Sequence, residues 1–402
     1  MRILLASAYD PLNQTQGQGV IIKHTLNAGM AGHPSEGIEI GLSLFRDGAR
    51  RPKNEMVTHF TNIRKEQYQP APSLNRLSLI RDLLNLPLTR SERDYVSRIA
   101  DIAKKYDIVL WFGSPYDPVT HRIAHEIECP VLCHVNDSIS LHEERREGRG
   151  AILRRVIAAR VEGEMLRNAG FAAIVYVGAV DAEKAQTILQ GAETITAVSR
   201  IPLGVDTDYF RPRAGRPAKR KTILFAGSMC YAPNIDAARR LVLEILPLVQ
   251  CSPLVRIVGH SPPKEVQVLA NRGDGTSIVV TGRVEDISEE YRNADLLVAP
   301  LERGAGMQFK VLDALASGVP VVTSPLVAGG IGPQVPGLFV CRSAAEYAAK
   351  IDQLLQSDQF RLDRGVAGRA HVERYYTWAK RTRSLLDLLG ATIVRKRPRA
   401  IK

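Results

Sequence analysis

The stretch Ala299-Pro-Leu-Glu-Arg-Gly-Ala-Gly-Met-Gln-Phe-Lys-Val-Leu-Asp-Ala-Leu-Ala-Ser-Gly-Val-Pro-Val-Val-Thr323 carries the densest chemistry in the sequence. A strand ends at Pro300, a loop follows with Gly304 and Gly306, and the pattern predicts a helix from Met307 to Ser317 stopped by Gly318. Backbone N–H groups and the positive end of a helix dipole then converge at one sheet edge, an anion site suited to a diphosphate. Lys310, in the first turn, adds a full positive charge. Asp313, a turn further on, offers a carboxylate to paired hydroxyls such as those of a ribose. Any α/β protein repeats strand, loop and helix, so two glycines alone mean little. The glycine loop, the lysine, the acid and Gly318-Val-Pro-Val-Val322 together mean more.

Two other places gather polar residues. Val131-Leu-Cys-His-Val-Asn-Asp137 ends a strand, with His134 and Asn136 on one face and Asp137 on the other. A lone histidine is more often structural, and only its place at a strand end raises it. Gln14-Thr-Gln-Gly-Gln-Gly19 follows the opening strand, but a Gly-x-Gly-x-x-Gly fingerprint requires glycine where Ile22 stands. No dinucleotide cofactor is expected. Five scattered cysteines, with Cys129 and Cys133 at a spacing that fits no metal knuckle, read as free thiols. No Asp-x-Asp metal motif stands at a suitable loop, so neither metal nor cofactor is expected.

These groups need a frame. Arg2-Ile-Leu-Leu-Ala-Ser-Ala8 and Thr222-Ile-Leu-Phe-Ala-Gly-Ser228 open two halves in the same way, each a short apolar strand entering a small-residue turn. Further apolar runs follow at 108–112, 131–135, 174–177 and 194–198, then at 255–258, 277–281, 296–299, 319–323 and 337–340. Helical patterns separate them, so each half is predicted to be an open parallel sheet with helices on both faces. The Pro-, Gly- and Arg-rich segment between them reads as a linker. The expected division is 1–205, a linker 206–221, a second domain 222–375, and a returning helix with a basic tail, 376–402. Ligands bind beyond the carboxyl ends of such strands, which points to a cleft between the two sheets.

Composition sets the outer bounds. At 402 residues, 45% hydrophobic and 24% charged, the chain is long enough for two cores. No apolar run is long enough for a signal-peptide core or a membrane span, so a cytoplasmic protein is expected. The net charge of +12 favours an anionic substrate or an anionic membrane surface. Aromatic residues at 6% and the lack of any recognised module argue against nucleic acid. Two amphipathic segments stand out: Leu74 to Leu84, and Ile152, Leu153, Val156, Ile157, Val161 and Met165. The second reads as a helix covering a sheet. A membrane-surface role for the first is the minor alternative.

The motifs resemble glycosyltransferase family 4, the retaining enzymes of the GT-B fold. Val311-Leu-Asp-Ala-Leu-Ala-Ser-Gly-Val-Pro-Val-Val322 follows the family's Leu-Glu-Ala-Met-Ala-x-Gly-x-Pro-Val-Val helix, with Asp313 in place of its second glutamate. Pro202-Leu-Gly-Val-Asp206 with Phe210-Arg-Pro212 is similar to the family's interdomain signature. The run from Phe225 to Asn234, Ile257-Val-Gly259 and Thr281-Gly-Arg-Val284 look like further stations. The likeness covers the C-terminal half closely and the N-terminal half loosely. It looks closest to the bacterial exopolysaccharide branch, whose loop reads Gly-Met-Gln-x-Lys-Val-Leu-Glu.

The resemblance implies two Rossmann-like domains facing a cleft, and transfer of a sugar from a nucleotide-sugar donor with retention. The acceptor would be a saccharide or a lipid-linked saccharide, reached by a cytoplasmic enzyme peripheral to the inner membrane face. Carried over position by position, the donor would be held by Gly17, Gly19, Gly227, Gly306, Met307, Gln308 and Asp313. Lys310, His134 and Asp137 are the expected catalytic groups. Two departures matter. The first glutamate of the family's acid pair falls on Ala305, leaving Glu302 to move into its role. The turn Gly227-Ser-Met-Cys-Tyr231 lacks the family's diphosphate-binding cations, leaving Lys310 and Arg283 to compensate. Alternatives are a nucleotide-sugar epimerase of the same fold and a catalytically degenerate subunit that only binds nucleotide sugar.

Overall fold

The structure is a computed structural model and describes residues 1–7, 20–25, 39–46, 64–65, 69–70, 88–113, 119–145, 148, 150–192, 196–213, 220–271, 277–304, 307–332 and 334–396. The chain divides into two compact units, Met1–Ile201 with Arg381–Lys402, and Pro202–Lys380.

The N-terminal unit holds β1 (Arg2–Ser7), β2 (Glu39–Arg46), β3 (Arg64–Lys65), β4 (Gln69–Pro70), β5 (Ile108–Phe112), β6 (Val131–Val135), β7 (Ala173–Tyr176) and β8 (Ala197–Arg200). They form one sheet in the order β3-β2-β1-β5-β6-β7-β8, with β4 paired to β2. The pairings are parallel, Ile3 lying against Ile108 and Val109 against Val131. Every residue of β5 and β6 is buried, as expected where helices cover both faces of a parallel sheet. Trp111, Tyr176 and Phe171 are fully enclosed. Burying each such side chain supplies about 1.5–3 kcal/mol of transfer free energy, the main term holding the unit together.

The C-terminal unit holds β9 (Thr222–Ala226), β10 (Leu254–Val258), β11 (Ser277–Gly282), β12 (Leu296–Ala299), β13 (Val321–Thr323) and β14 (Leu338–Val340), in the parallel order β11-β10-β9-β12-β13-β14. A buried ion pair, Arg361 to Asp295 at 3.0 Å, braces this sheet, and Asp295 also accepts from the Thr222 backbone N–H at 2.9 Å. In both sheets the strand order reverses beside the first strand, between β1 and β5 and between β9 and β12. Ligands of open α/β sheets sit at such switch points, beyond the carboxyl ends of the strands.

The helix Ala151–Asn168 departs from its expected role as a plain sheet cover. Ala158, Val161, Met165 and Leu166 are buried, but Ile152, Leu153 and Val156 are 78%, 64% and 61% exposed. The first two turns therefore present an apolar face to solvent. The segment Leu74–Leu84 lies outside the described residues. Among the described residues no helix is long and apolar enough to cross a membrane. All five cysteines are free.

Candidate functional site

The helix Phe309–Ala316 forms because Val311, Leu312, Ala314, Leu315 and Ala316 all turn into the core. It ends where the N–H of Gly318, at φ +70°, bonds to Leu315 and that of Val319 bonds to Ala314. This is the paired closure that a glycine in the left-handed region permits. The helix starts two residues later than the sequence pattern predicts, with Gln308 at its N-cap.

Lys310 leaves the first turn of that helix and is buried, only 8% exposed. Its Nζ donates to Asn234 Oδ1 at 2.6 Å, and Asn234 Nδ2 donates to the Ser228 carbonyl at 2.9 Å. The ammonium also lies 5.1 Å from the centre of the Phe225 ring. The helix after β12 is thus tied to the turn after β9, across the switch point. Glycine is required there: a Cβ on Gly227 would stand 2.8 Å from Asn234 Nδ2 and 2.9 Å from Lys310 Nζ. A Cβ on Gly259 would meet the Gly227 carbonyl oxygen at 1.7 Å. Burial, with no carboxylate partner among the described residues, pulls the Lys310 ammonium down to about 7. A lysine held this way gains strongly from any anion that reaches it.

Asp313 follows Lys310 on the same helix and is half-buried. Burial pushes its carboxyl well above the usual carboxylate range. The buried Tyr291 hydroxyl is raised too, by burial first and by the Asp313 charge second. Met307 is buried, and its sulfur accepts the Leu203 backbone N–H at 3.4 Å, which makes it a packing contact as it stands. Gln308 is half-buried at the helix start. Glu302 is not brought to Lys310. It is exposed and paired with Arg240 at 2.8 Å, on an open cavity of about 470 Å³ shared with Asp236 and Arg303. Arg283 is exposed just past the end of β11, two strands from β9. Gly17, Gly19 and Gly306, with Ala305, lie outside the described residues.

In the N-terminal unit the end of β6 carries a second polar cluster. His134 is fully buried and stacks on Phe112 with ring centres 4.7 Å apart. Arg381 approaches it from the helix Trp378–Lys396: Nη2 lies 2.8 Å from His134 Nε2, and Nη1 donates to Thr25 Oγ1 at 2.9 Å. Burial pulls the Arg381 guanidinium down to about 9, so it stays charged at neutral pH. Burial and that charge together hold His134 well below its ordinary value.

Asp137, two residues past the end of β6, is half-buried. Burial and, second, the Asp181 charge push its carboxyl up to about 7, against the opposing pull of Arg145. Asp181 accepts from the Ser138 N–H at 2.8 Å. Glu162, fully buried, takes the Ser138 hydroxyl at 2.8 Å and the Tyr176 hydroxyl at 3.0 Å. These bonds fix the turn that carries Asp137. Among the described residues no group of three or more His, Cys, Asp or Glu side chains is placed to hold a metal ion.

Sequence reasoning did not single out Asn234, Arg381 or Asp181. Asn234 was visible within Tyr231-Ala-Pro-Asn234, where proline marks a helix start, but its tie to Lys310 spans 76 residues. Arg381 gave no local sign, since one arginine in a basic helix looks solvated.

Residues 220–357 match the protein family described as Glycosyl transferases group 1. Sequence relatives include a phosphatidyl-myo-inositol mannosyltransferase of Mycobacterium tuberculosis, 33% identical over 193 residues, covering 44% of this chain and 49% of that protein. The Mycobacterium leprae protein of the same name is 31% identical over 197 residues, covering 44% and 50%. The chain thus spans about half the length of the relatives it matches. Among solved structures, sucrose-phosphate synthase from Thermosynechococcus elongatus superposes with a TM-score of 0.74 at 16% identity, over 98% of this chain and 100% of that one. The Anabaena protein Alr3699/HepE, solved in complex with UDP, gives 0.69 at 14% identity over 97% and 100%. These likenesses establish the fold, two parallel-sheet α/β units of the GT-B class.

Proposed function

We propose that this chain is a hexosyltransferase whose C-terminal unit binds a nucleotide-sugar donor and which passes the sugar to a saccharide or lipid-linked acceptor, with retention, in bacterial polysaccharide or glycoconjugate synthesis. One observation carries the proposal: a buried lysine, partnered by a neutral amide and flanked by bare glycine backbone, at the switch point of β9 and β12. Charge develops on the β-phosphate oxygen as a nucleoside diphosphate leaves, and a preorganised cation there acts mainly on the transition state. Arg283, at the end of β11, is the second cation in this proposal. The family match over 220–357 and the UDP and UDP-glucose complexes of the Anabaena protein support a nucleotide-sugar ligand.

On the acceptor side we assign Asp137, whose carboxyl near 7 can exchange a proton at working pH. Ile152, Leu153 and Val156, exposed beside Arg155 and the solvent-facing Arg160, support an acceptor met at an anionic membrane surface.

Thermal stabilisation by uridine, guanosine and adenosine diphosphates and their sugars tests the donor side, since a ligand at about 100 times its Kd adds about 2.7 kcal/mol to the folded state. One base class should stabilise, and sedimentation with anionic but not neutral vesicles should follow. A chain that none of the nucleotides stabilises would not fit the proposal.

A further inference from the structure

The five free cysteines differ in access. Cys133 and Cys341 are buried, and burial pushes the Cys341 thiol up to about 11. Cys251 is half-buried and raised as well, by burial first and by its hydrogen bond to Asp352 second. Cys129 is half-buried and donates to the Ala103 carbonyl at 3.9 Å. Cys230 is the exposed thiol of the five, and it has a partner. It stands in the turn after β9, between Gly227 and Asn234. Backbone bonds tie that turn to the one after β10: the Gly227 N–H donates to the Val258 carbonyl at 2.9 Å, and the Met229 N–H to the His260 carbonyl at 3.1 Å. Cys230 Sγ is thereby brought within 3.8 Å of His260 Nδ1, and Ser261 Oγ lies 3.3 Å from the same nitrogen. Ser261 holds a left-handed backbone, φ +55°, which a residue with a Cβ adopts at a cost. His260 Nε2 is sealed from solvent with no hydrogen-bond partner among the described residues, so the ring's polar contacts run through Nδ1.

We propose that Cys230 and His260 form a thiol-modification site for a small disulfide of the glutathione class, and that the adduct closes the nucleotide site beside it. His260 Nδ1 takes the thiol proton as Sγ attacks one sulfur of the disulfide. The S–S bond of the disulfide breaks, a new S–S bond forms on Cys230, and the departing thiolate recovers the proton from His260. Cys230 is oxidised and the departing half of the disulfide is reduced, with no other reactant consumed. A neighbouring imidazole favours the thiolate, which is the form that attacks. The closure of the nucleotide site rests on the glycosyltransferase reading; the modification does not. Cys230 is three residues from Gly227, a span of at most about 11 Å. The Tyr231 N–H, donating to the Ser228 carbonyl at 3.3 Å, folds the turn tighter still. A tripeptide carried on Cys230 reaches that far, and brings its carboxylates to the ground where Lys310 would meet a diphosphate.

The test incubates the whole protein with oxidised glutathione and maps the adducts by mass spectrometry. Cys230 should be modified first, and excess dithiol should reverse the change. His260→Asn should slow the step roughly tenfold in the folded protein. In denaturant, where the pair is apart, variant and wild type should react alike. The modified protein should lose at least about tenfold in affinity for uridine, guanosine or adenosine diphosphate, whichever stabilises the wild type. Cys230→Ser should keep its affinity under the same oxidant. That nucleotide, at saturation, should in turn protect Cys230, because exclusion between two ligands is reciprocal. Adducts appearing first on another cysteine, or a rate unmoved in His260→Asn, would overturn the site. A Cys230 adduct that binds nucleotide as before would overturn the closure. Should His260→Asn fail to fold, the map of adducts on the wild type decides. If none of the three nucleotides stabilises the chain, the donor reading falls and the closure with it, while the adduct map still judges the thiol site.

Discussion

The two units place opposite charges at the carboxyl ends of their strands, and burial drives both toward the same point. In the C-terminal unit Lys310 falls to about 7; in the N-terminal unit Asp137 rises to about 7. The surroundings explain the difference in use. Lys310 stands over glycine backbone with an amide partner and, among the described residues, no carboxylate, an environment that an anion completes. Asp137 stands near Asp181 in a turn braced by Glu162, an environment that a hydroxyl or a proton completes. Two sheets of one topology thus suit a diphosphate and a sugar hydroxyl respectively, through which charge each one buries.

The largest effect should come from Lys310. Lys310→Met should weaken nucleoside diphosphate binding roughly tenfold to a hundredfold, the ~1.5–3 kcal/mol of a charge-assisted contact. Because the free lysine sits near 7, binding must also draw a proton above that pH. Affinity in the wild type should then fall by up to about tenfold per pH unit above 7. Lys310→Arg, which keeps its charge, should remove that slope. Calorimetry in buffers of different ionisation heat reads both. An affinity independent of pH from 7 to 9 would mean that the diphosphate does not meet Lys310.

Asp137 should show the opposite sign. A raised carboxyl contributes stability below its unfolded value, about 3.9, and loses that contribution as pH rises through 7. Lys310, being lowered, contributes above its unfolded value, about 10.4, and loses that contribution as pH falls through 7. Melting temperatures of Asp137→Asn should accordingly gain on the wild type between about pH 4 and 7, and those of Lys310→Met should lose ground between about pH 7 and 10. In Asp137→Asn the step near pH 7 in turnover should vanish as well. Parallel melting curves for Asp137→Asn and the wild type across that range would mean that the carboxyl is ordinary and solvated.

The strands were legible because parallel, doubly covered strands read as unbroken apolar runs. Ile108–Phe112, Val131–Val135, Thr222–Ala226 and Leu296–Ala299 stand where the sequence pattern puts them. The helix with Lys310 and Asp313 was legible for a related reason: Gly318 marks its end and its buried face repeats at helical spacing. Long-range partnership was not. Lys310 meets Asn234 across 76 residues and His134 meets Arg381 across 247, and no local periodicity reports such pairs. Exposure failed at Ile152, Leu153 and Val156 because an apolar stripe looks the same whether or not something covers it.

The smallest effect, and the finest probe of the C-terminal site, concerns Asp313. One turn beyond Lys310 it is poorly placed to bind phosphate, and once ionised it would repel one. Burial keeps its carboxyl protonated well above the usual range in the free protein. Two adjacent ribose hydroxyls that donate to it would favour the carboxylate and draw it down. Asp313→Asn preserves the shape but replaces one acceptor oxygen with a donor. Affinity for a ribonucleoside diphosphate should fall about twofold to tenfold, the ~0.5–1.5 kcal/mol of one net hydrogen bond. For the 2′-deoxy compound, already lacking one hydroxyl, the fall should be clearly smaller. Equal losses for the two would make Asp313 a helix residue whose match to the family pattern is structural, and the polarity of the C-terminal site would then rest on Lys310.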